Sequence, residues 1–202
     1  MSTGIVILAA GESARMGEPK QLLPYRGTTL LQHSINTALS VQGATVVVVL
    51  GAHAAQIRAE LDDPRVLVTV NPDWADGMGS SLRTGLRALL GAQPDVSAAI
   101  FLLCDQPRVS TITLDNLVST HERTGFAIVA SEYDGILGVP ALFAREMFQQ
   151  LLALRGSEGA RQIIRGHRDE AIGVTFQDGA VDIDTPADYA QLRNELPTPT
   201  PV

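Results

Sequence analysis

Short apolar runs alternating with segments of helical period constrain this chain more than any other feature. Ile5–Ala10, Val46–Leu50, Val66–Val70, Ala98–Leu103 and Ala127–Ser131 each read as a strand. Between them, Leu30, Ile35, Ala38 and Leu39 fit one face of a helix, and Ala54–Leu61 has helical character. Leu82, Leu86 and Leu89 repeat at helical spacing within Ser80–Leu90, and Thr113–Arg123 reads as a helix too. The β-branched run Val46–Leu50 marks a strand buried on both faces. Strand–helix–strand alternation predicts an α/β fold of three layers, a mainly parallel sheet with helices on both faces. Such sheets bind ligands beyond the carboxyl ends of their strands. Gly11, Gly51 and Asp105 each close a predicted strand, so they are expected to gather at one rim.

The stretch from Tyr133 to Asp178 is less regular. A Gly/Pro cluster, Asp134-Gly-Ile-Leu-Gly-Val-Pro140, precedes helical stretches at Ala144–Leu154 and Glu158–Gly166, and the region is expected to shape a second-substrate pocket. Asp182-Ile-Asp-Thr-Pro186 starts a last helix, with Thr185 as N-cap and Pro186 at its first position. We read residues 1–196 as one domain and the Pro/Thr-alternating residues 197–202 as a flexible tail.

The formal net charge of −7 argues against non-specific binding to nucleic acid or an anionic membrane, but not against a small anion held by a few local cations. The single cysteine, Cys104, rules out an intramolecular disulfide and a thiolate zinc cluster. Met1-Ser-Thr-Gly leads straight into a short apolar run without a basic segment, unlike a secretory signal. No stretch approaches the roughly 18 apolar residues of a membrane helix. A soluble cytoplasmic protein is expected.

The segment most specific for chemistry is Leu8-Ala-Ala-Gly-Glu-Ser-Ala-Arg-Met-Gly-Glu-Pro-Lys20. A strand runs into a glycine-containing loop whose backbone N–H groups can ring an anion. Arg15 can fork onto two phosphate oxygens, and Lys20 supplies a compact charge. Five residues separate Gly11 from Gly17, and Gln21 follows Lys20, so the loop is not a Walker motif. The dinucleotide fingerprint also fails, for want of a third glycine and of an acidic residue closing the second strand, which ends at Leu50-Gly51.

The thirteen residues resemble the opening motif of the sugar-phosphate and molybdopterin nucleotidyltransferases, close to LAAGxSxRMGxxK, and Leu22-Leu-Pro24, Gly27 and Leu30-Leu31 extend the match. The chain is most similar to the MobA-like branch, which includes the molybdenum cofactor cytidylyltransferases and guanylyltransferases, and the likeness runs from Ile5 to about Leu192. It implies a Rossmann-like sheet of the nucleotide-diphospho-sugar transferase type. It also implies transfer of a nucleoside monophosphate from its triphosphate to a phosphorylated acceptor, with Mg²⁺ as cofactor and pyrophosphate released. Leu8, Ala9, Ala10, Gly11, Glu12, Ser13, Arg15 and Lys20 would then hold the nucleotide, and Arg15 and Lys20 would act on its triphosphate.

By spacing alone, Asp105 in Leu102-Leu-Cys-Asp-Gln-Pro107 either holds Mg²⁺ or caps a nearby helix. Its resemblance to the family's metal segment favours Mg²⁺. Asp184 matches a family segment of the form D-x-D-T-P-x-D and either completes the metal site or caps the helix start; Asp182 and Asp188 are read as solvated. Gly79, Ser80 and Ser81, in Ala75-Asp-Gly-Met-Gly-Ser-Ser-Leu82, match the segment over the nucleobase, and Ser80 is also expected to cap a helix. Ala10, where guanylyltransferases of this branch usually carry glycine, resembles the cytidine-using members, so CTP is the expected donor.

Gly138, Pro140 and Phe143 resemble the family's pterin-side segment. Arg161 lies in Gly156-Ser-Glu-Gly-Ala-Arg161, where Ser157 replaces the usual Asp, and it either meets the acceptor's phosphate or is an exposed helix residue. Trp74, Met78 and the four histidines are read as packing or surface residues. The favoured acceptor is molybdopterin, whose product would pass to a molybdoenzyme. The alternatives are a relative acting on another phosphorylated acceptor such as a sugar phosphate, a nucleotide-binding chaperone or sensor without turnover, and a Rossmann-type oxidoreductase.

Overall fold

The computed structural model describes residues 2–195; the tail expected at 197–202 lies outside them. Chain order is β1 (Thr3–Ala9), β2 (Pro24–Tyr25), β3 (Thr28–Thr29), α1 (Leu30–Leu39), β4 (Thr45–Leu50), α2 (Ala54–Ala59), β5 (Val66–Val70), α3 (Met78–Ala92) and β6 (Ala98–Leu103). It continues through α4 (Thr111–Thr124), β7 (Ile128–Tyr133), β8 (Ile136–Ala144), α5 (Phe148–Ala153), α6 (Ala160–Gly166), β9 (Ala171–Thr175) and α7 (Pro186–Asn194). Seven strands form one sheet in the order β5-β4-β1-β6-β8-β7-β9. Only β8 runs against the rest, antiparallel to both β6 and β7. The mainly parallel three-layer α/β fold is the architecture the sequence predicts.

Side-chain alternation divides each central strand between two cores, as the two-residue period of a strand requires. Val6, Leu8, Val47, Val49 and Phe101 meet Leu82, Leu86 and Leu89 of α3 and, further along, Leu151 and Ile164 of α5 and α6. Ile5, Ile7, Val46, Val48 and Ile100 meet Ile35 of α1, Ile57 of α2 and Leu114 and Leu117 of α4. A third, smaller cluster of Met16, Leu23, Tyr25, Leu30, Ile183 and Leu192 ties the segment after β1 to α7.

The irregular reading of Tyr133–Asp178 needs correction. Its helices are present, but β8 and β9 are there too. Gly138 and Pro140 made β8 look like a loop, since proline lacks the ladder donor. In the structure, Ala141 faces Ala130 and Gly138 faces Ser131, so Val139 and Pro140 bulge out of the ladder. Proline is tolerated at such a bulge, and Ser131 Oγ donates to the Pro140 carbonyl at 2.7 Å.

Candidate active site

The ends of β1, β4 and β6 form one rim, as expected. Ala52 N donates to the Ala10 carbonyl at 3.0 Å and Cys104 N to the Leu8 carbonyl at 3.3 Å, stitching the three strand exits together. Gly51 is needed for this closeness, because a Cβ there would lie 2.6 Å from the Ala10 oxygen. Beyond the rim opens a cleft of about 690 Å³ lined by residues from Leu8 to Asp184.

The loop after β1 is held from inside. Gln21 is 1% exposed. Its Nε2 donates to the carbonyls of Ala9 and Gly11, each at 3.0 Å. Ser13 Oγ donates to Gln21 Oε1 at 3.3 Å and accepts from Lys20 N at 3.1 Å. Ser13 carries a left-handed φ of +60°, rare for a residue with a Cβ, and these side-chain bonds hold it there. Ser13 thus braces the loop from behind, while Leu8–Glu12, Arg15, Lys20 and Gln21 face the cleft. Gln21 was missed in the sequence; an amide breaking into Lys20-Gln-Leu-Leu23 was the available signal.

Lys20 lies between two carboxylates, with Nζ 2.5 Å from Asp105 Oδ2 and 2.8 Å from Asp184 Oδ1. Arg15, largely exposed, reaches Asp184 Oδ2 at 2.7 Å. Burial alone would lower the Lys20 pKa, but the Asp105 charge and the bonds to both carboxylates outweigh it and hold the ammonium above its usual range. Burial works against Asp184 as an anion, yet Lys20 and Arg15 hold its carboxyl below the usual range.

Neither aspartate caps a helix. The helix after Asp105 starts at Thr111 with Ser110 as its cap. That after Asp184 is capped by Thr185 in a reciprocal box with Asp188, with Pro186 in its first turn. The expectation that Asp182 is solvated is overturned, whereas Asp188 stays solvent-accessible while it serves the helix cap. The Asp188 carboxylate accepts from Asp184 N and Thr185 N. Asp182 lines the cleft. Burial first, then the Asp105 charge, pushes its carboxyl up to about 6. Asp105 Oδ1 and Asp182 Oδ1 are both buried without a hydrogen-bond partner.

The base segment and the acceptor segment touch. Gly77, at φ +108°, would place a Cβ 2.6 Å from the Gly156 carbonyl, and Gly79 N donates to that same carbonyl at 3.1 Å. Gly77, not Ser80, is the N-cap of α3. Ser80 sits two residues into the helix and is correspondingly no cap; it and Gly79 are buried behind the cleft, whereas Gly77, Met78 and Ser81 line it. Trp74 and Met78, read as packing, also face the cleft.

On the acceptor side, Gly138 and Pro140 lie in β8 outside the cleft lining, with Val139 between them facing in. Phe143 is core, edge-on to Phe101 at 6.0 Å. Arg161 lines the cleft, and its Nη2 donates to Tyr133 Oη at 2.7 Å. Tyr133 closes β7 at the same rim, a role the sequence did not reveal. Its ring is so tightly seated that a Cβ on Gly179 would lie 2.1 Å from it. Among the described residues no group of three or more His, Cys, Asp or Glu side chains is placed to hold a metal ion by itself. No helix among them is long and apolar enough to cross a membrane.

A family model described as the MobA-like NTP transferase domain matches residues 5–171. Purine catabolism protein PucB of Bacillus subtilis (strain 168) is 31% identical over 201 residues, spanning 95% of this chain and 96% of that protein. Nicotine blue oxidoreductase of Paenarthrobacter nicotinovorans is 41% identical over 119 residues, 57% of this chain and 55% of its own, so the match spans about half that relative's length. The crystal structure of Rv0371c from Mycobacterium tuberculosis H37Rv has a TM-score of 0.83 at 31% identity, covering 96% of this chain and 98% of that one. A second structure of Rv0371C, in complex with manganese, has a TM-score of 0.81 at 29% identity, covering 97% and 100%.

Proposed function

The chain belongs to the MobA-like NTP transferase family, and from that premise we propose that it transfers CMP from CTP to a phosphorylated acceptor, molybdopterin by preference, in the cytoplasm. The observation that carries this is the meeting of Arg15 and Lys20 with Asp105 and Asp184 at the strand ends. Two cations beside two carboxylates suit a triphosphate arriving with a divalent cation. The buried, unpartnered Asp105 Oδ1 is an oxygen ready for such a cation. Mg²⁺ commonly takes one or two carboxylates and completes its shell with water and substrate phosphates. Asp105 and Asp184 would hold it, and its charge would offset that building on the phosphates.

An acceptor phosphate is already an anion at neutral pH, since its second pKa is ~6. It attacks the α-phosphorus in line; a new P–O bond forms, the bond to the β-phosphate's bridging oxygen breaks, and pyrophosphate carries the charge away. No strong base is needed, and among the described residues no histidine lines the cleft. Lys20 and Arg15 would leave their carboxylates for the phosphates and neutralise the transition state. Arg161, aimed by Tyr133, would take the acceptor's phosphate. Ala10 lines the cleft, and a methyl group there, in place of a glycine hydrogen, would narrow the base seat against a purine, which supports CTP over GTP. The resemblance to molybdenum cofactor cytidylyltransferases supports the acceptor, and the manganese complex of a similar protein supports a divalent metal.

The test is pyrophosphate release from CTP, GTP, ATP and UTP, with and without molybdopterin, in Mg²⁺ and in Mn²⁺. Release that requires both CTP and molybdopterin is expected; a clear GTP preference would refute the base assignment, and release from none of the pairs would refute the activity. A second reading, a hydride-transferring oxidoreductase, has the 41% identical relative's name in its favour. Against it, β4 closes at Leu50 and Gly51, where a dinucleotide site carries an acidic residue. A nicotinamide-dependent spectral change would decide for it.

A further inference from the structure

Asn71 is 1% exposed and sits where β5 ends, its backbone N–H bonded to the Leu50 carbonyl at 2.8 Å. Its Oδ1 accepts from Asp73 N at 3.1 Å. That backbone donor fixes which end of the amide is oxygen, a choice otherwise open for Asn. The Nδ2 end therefore points the other way and donates to Ser80 Oγ at 2.8 Å and Ser81 Oγ at 3.0 Å.

The two hydroxyls then part company. Ser80 Oγ passes its single proton to the carbonyl of Asp73 or of Gly77, both at 2.8 Å, and is satisfied inside the fold. Ser81 is 5% exposed and lines the cleft. Among the described residues its hydroxyl accepts from Asn71 and donates to none. Because Asn71 Nδ2 already donates to this oxygen, the single Ser81 proton is turned away from Asn71 and is unspent, and it is the donor that Ser81 offers the cleft.

We propose that Asn71 is a positioning residue that sets Ser81 as a hydrogen-bond donor to the nucleobase, so that the cleft takes a base presenting a carbonyl oxygen or an unprotonated ring nitrogen at that edge. The inference rests on the nucleotidyl-transfer reading. It assigns a role to a residue outside the glycine loop and the carboxylates, and it gives Ser80 and Ser81 different work although they are neighbours. A carboxylate in place of the amide would reverse the polarity. It can only accept, so both hydroxyls would turn their protons inward and Ser81 would face the base as an acceptor.

The experiment titrates CTP and inorganic triphosphate onto the full chain with Mg²⁺ by calorimetry, for the native protein, Ser81→Ala, Asn71→Asp and the double variant. A buried polar group left unpaired costs enough to weaken CTP binding roughly 5- to 30-fold in each single variant. The double variant should be no weaker than the worse single one, because both remove one donor, and triphosphate affinity should stay as in the native protein. A general disturbance of the site by Asn71→Asp would weaken triphosphate too, and that result overturns the proposal. So does native CTP affinity in Ser81→Ala, which leaves Asn71 its bond to Ser80 and keeps the test informative if Asn71→Asp misfolds. Native protein that binds neither CTP nor triphosphate overturns the nucleotidyl-transfer reading together with this one.

Discussion

Ile183 donates its backbone N–H to the carbonyl of Asp105 at 2.9 Å. This one bond joins the exit of β6 to the segment entering α7 and brings Asp182 and Asp184, the sequence neighbours of Ile183, to the cleft beside Asp105. Lys20 bridges Asp105 and Asp184 as a result. The carboxylate cluster is thus built from two distant stretches of chain held by main-chain pairing, with Ile183, 1% exposed, anchored among Met16, Leu23 and Leu192.

Lys20→Met should lower kcat by about 10²–10³, the usual cost of one transition-state-stabilising contact. The circular dichroism spectrum should keep its native shape. Turnover measured by pyrophosphate release at saturating CTP is the check, and an unchanged kcat would remove Lys20 from the mechanism.

Gln21→Leu keeps the buried volume and deletes the amide that ties Ala9, Gly11 and Ser13 together. Two carbonyls lose their donor, so unfolding free energy should fall by ~1–3 kcal/mol. The nucleotide KM should rise while the acceptor KM stays. Urea melts and two-substrate kinetics read the two effects, and equal increases in both KM values would argue for a global defect instead.

Asp182→Asn should stabilise the protein in a pH-dependent way. The Asp182 carboxyl titrates near 6 in the fold against 3.8 for the free group. Between those values the native state holds a proton that the unfolded chain has lost, so this group's contribution is full below the lower value and disappears as pH rises through the upper one. The asparagine variant should therefore melt higher than the native protein at pH 7–8, with the gap closing as pH falls from about 6 to about 4. A gap of constant size across that range would mean the carboxyl titrates normally.

Tyr133→Phe removes the hydroxyl that holds Arg161 and leaves the ring packed against Gly138 and Gly179. The acceptor KM should rise roughly tenfold, in line with losing a hydrogen bond to a charged group, while the CTP KM is unaffected. A matching rise for CTP would show that Tyr133 supports the whole cleft.

Asp105→Asn should shift the Mg²⁺ or Mn²⁺ dependence of turnover to at least about tenfold higher metal concentration, as loss of a direct ligand implies. A metal titration superimposable on that of the native protein would take Asp105 out of the metal site.

Much of the fold was legible because strand and helix periods are local. The run Val46–Leu50 and the spacing Leu82, Leu86, Leu89 each reported a face before any partner was known. The exit of a strand onto Gly11, Gly51 or Asp105 likewise follows from where an apolar run stops. β8 escaped because its pairing bulges around Val139 and Pro140, and local pattern reports bulged strands as loops. β9, a five-residue edge strand interrupted by Gly173, gave too short a period to stand out.

The sequence by itself determined the alternating layers, the phosphate-type loop from Gly11 to Lys20 and the presence of Asp105 at a strand end. Only the tertiary structure decided that Asp182 is half-buried in the cleft, that Gln21 braces the loop, that Ser81 faces the cleft while Ser80 is turned into the fold, and that Tyr133 aims Arg161. The physical reason is the range of the interactions. Periodicity and turn chemistry act over a few neighbouring residues, whereas each of these side chains takes its role from a partner or a wall of the cleft that the folded sheet alone brings within reach.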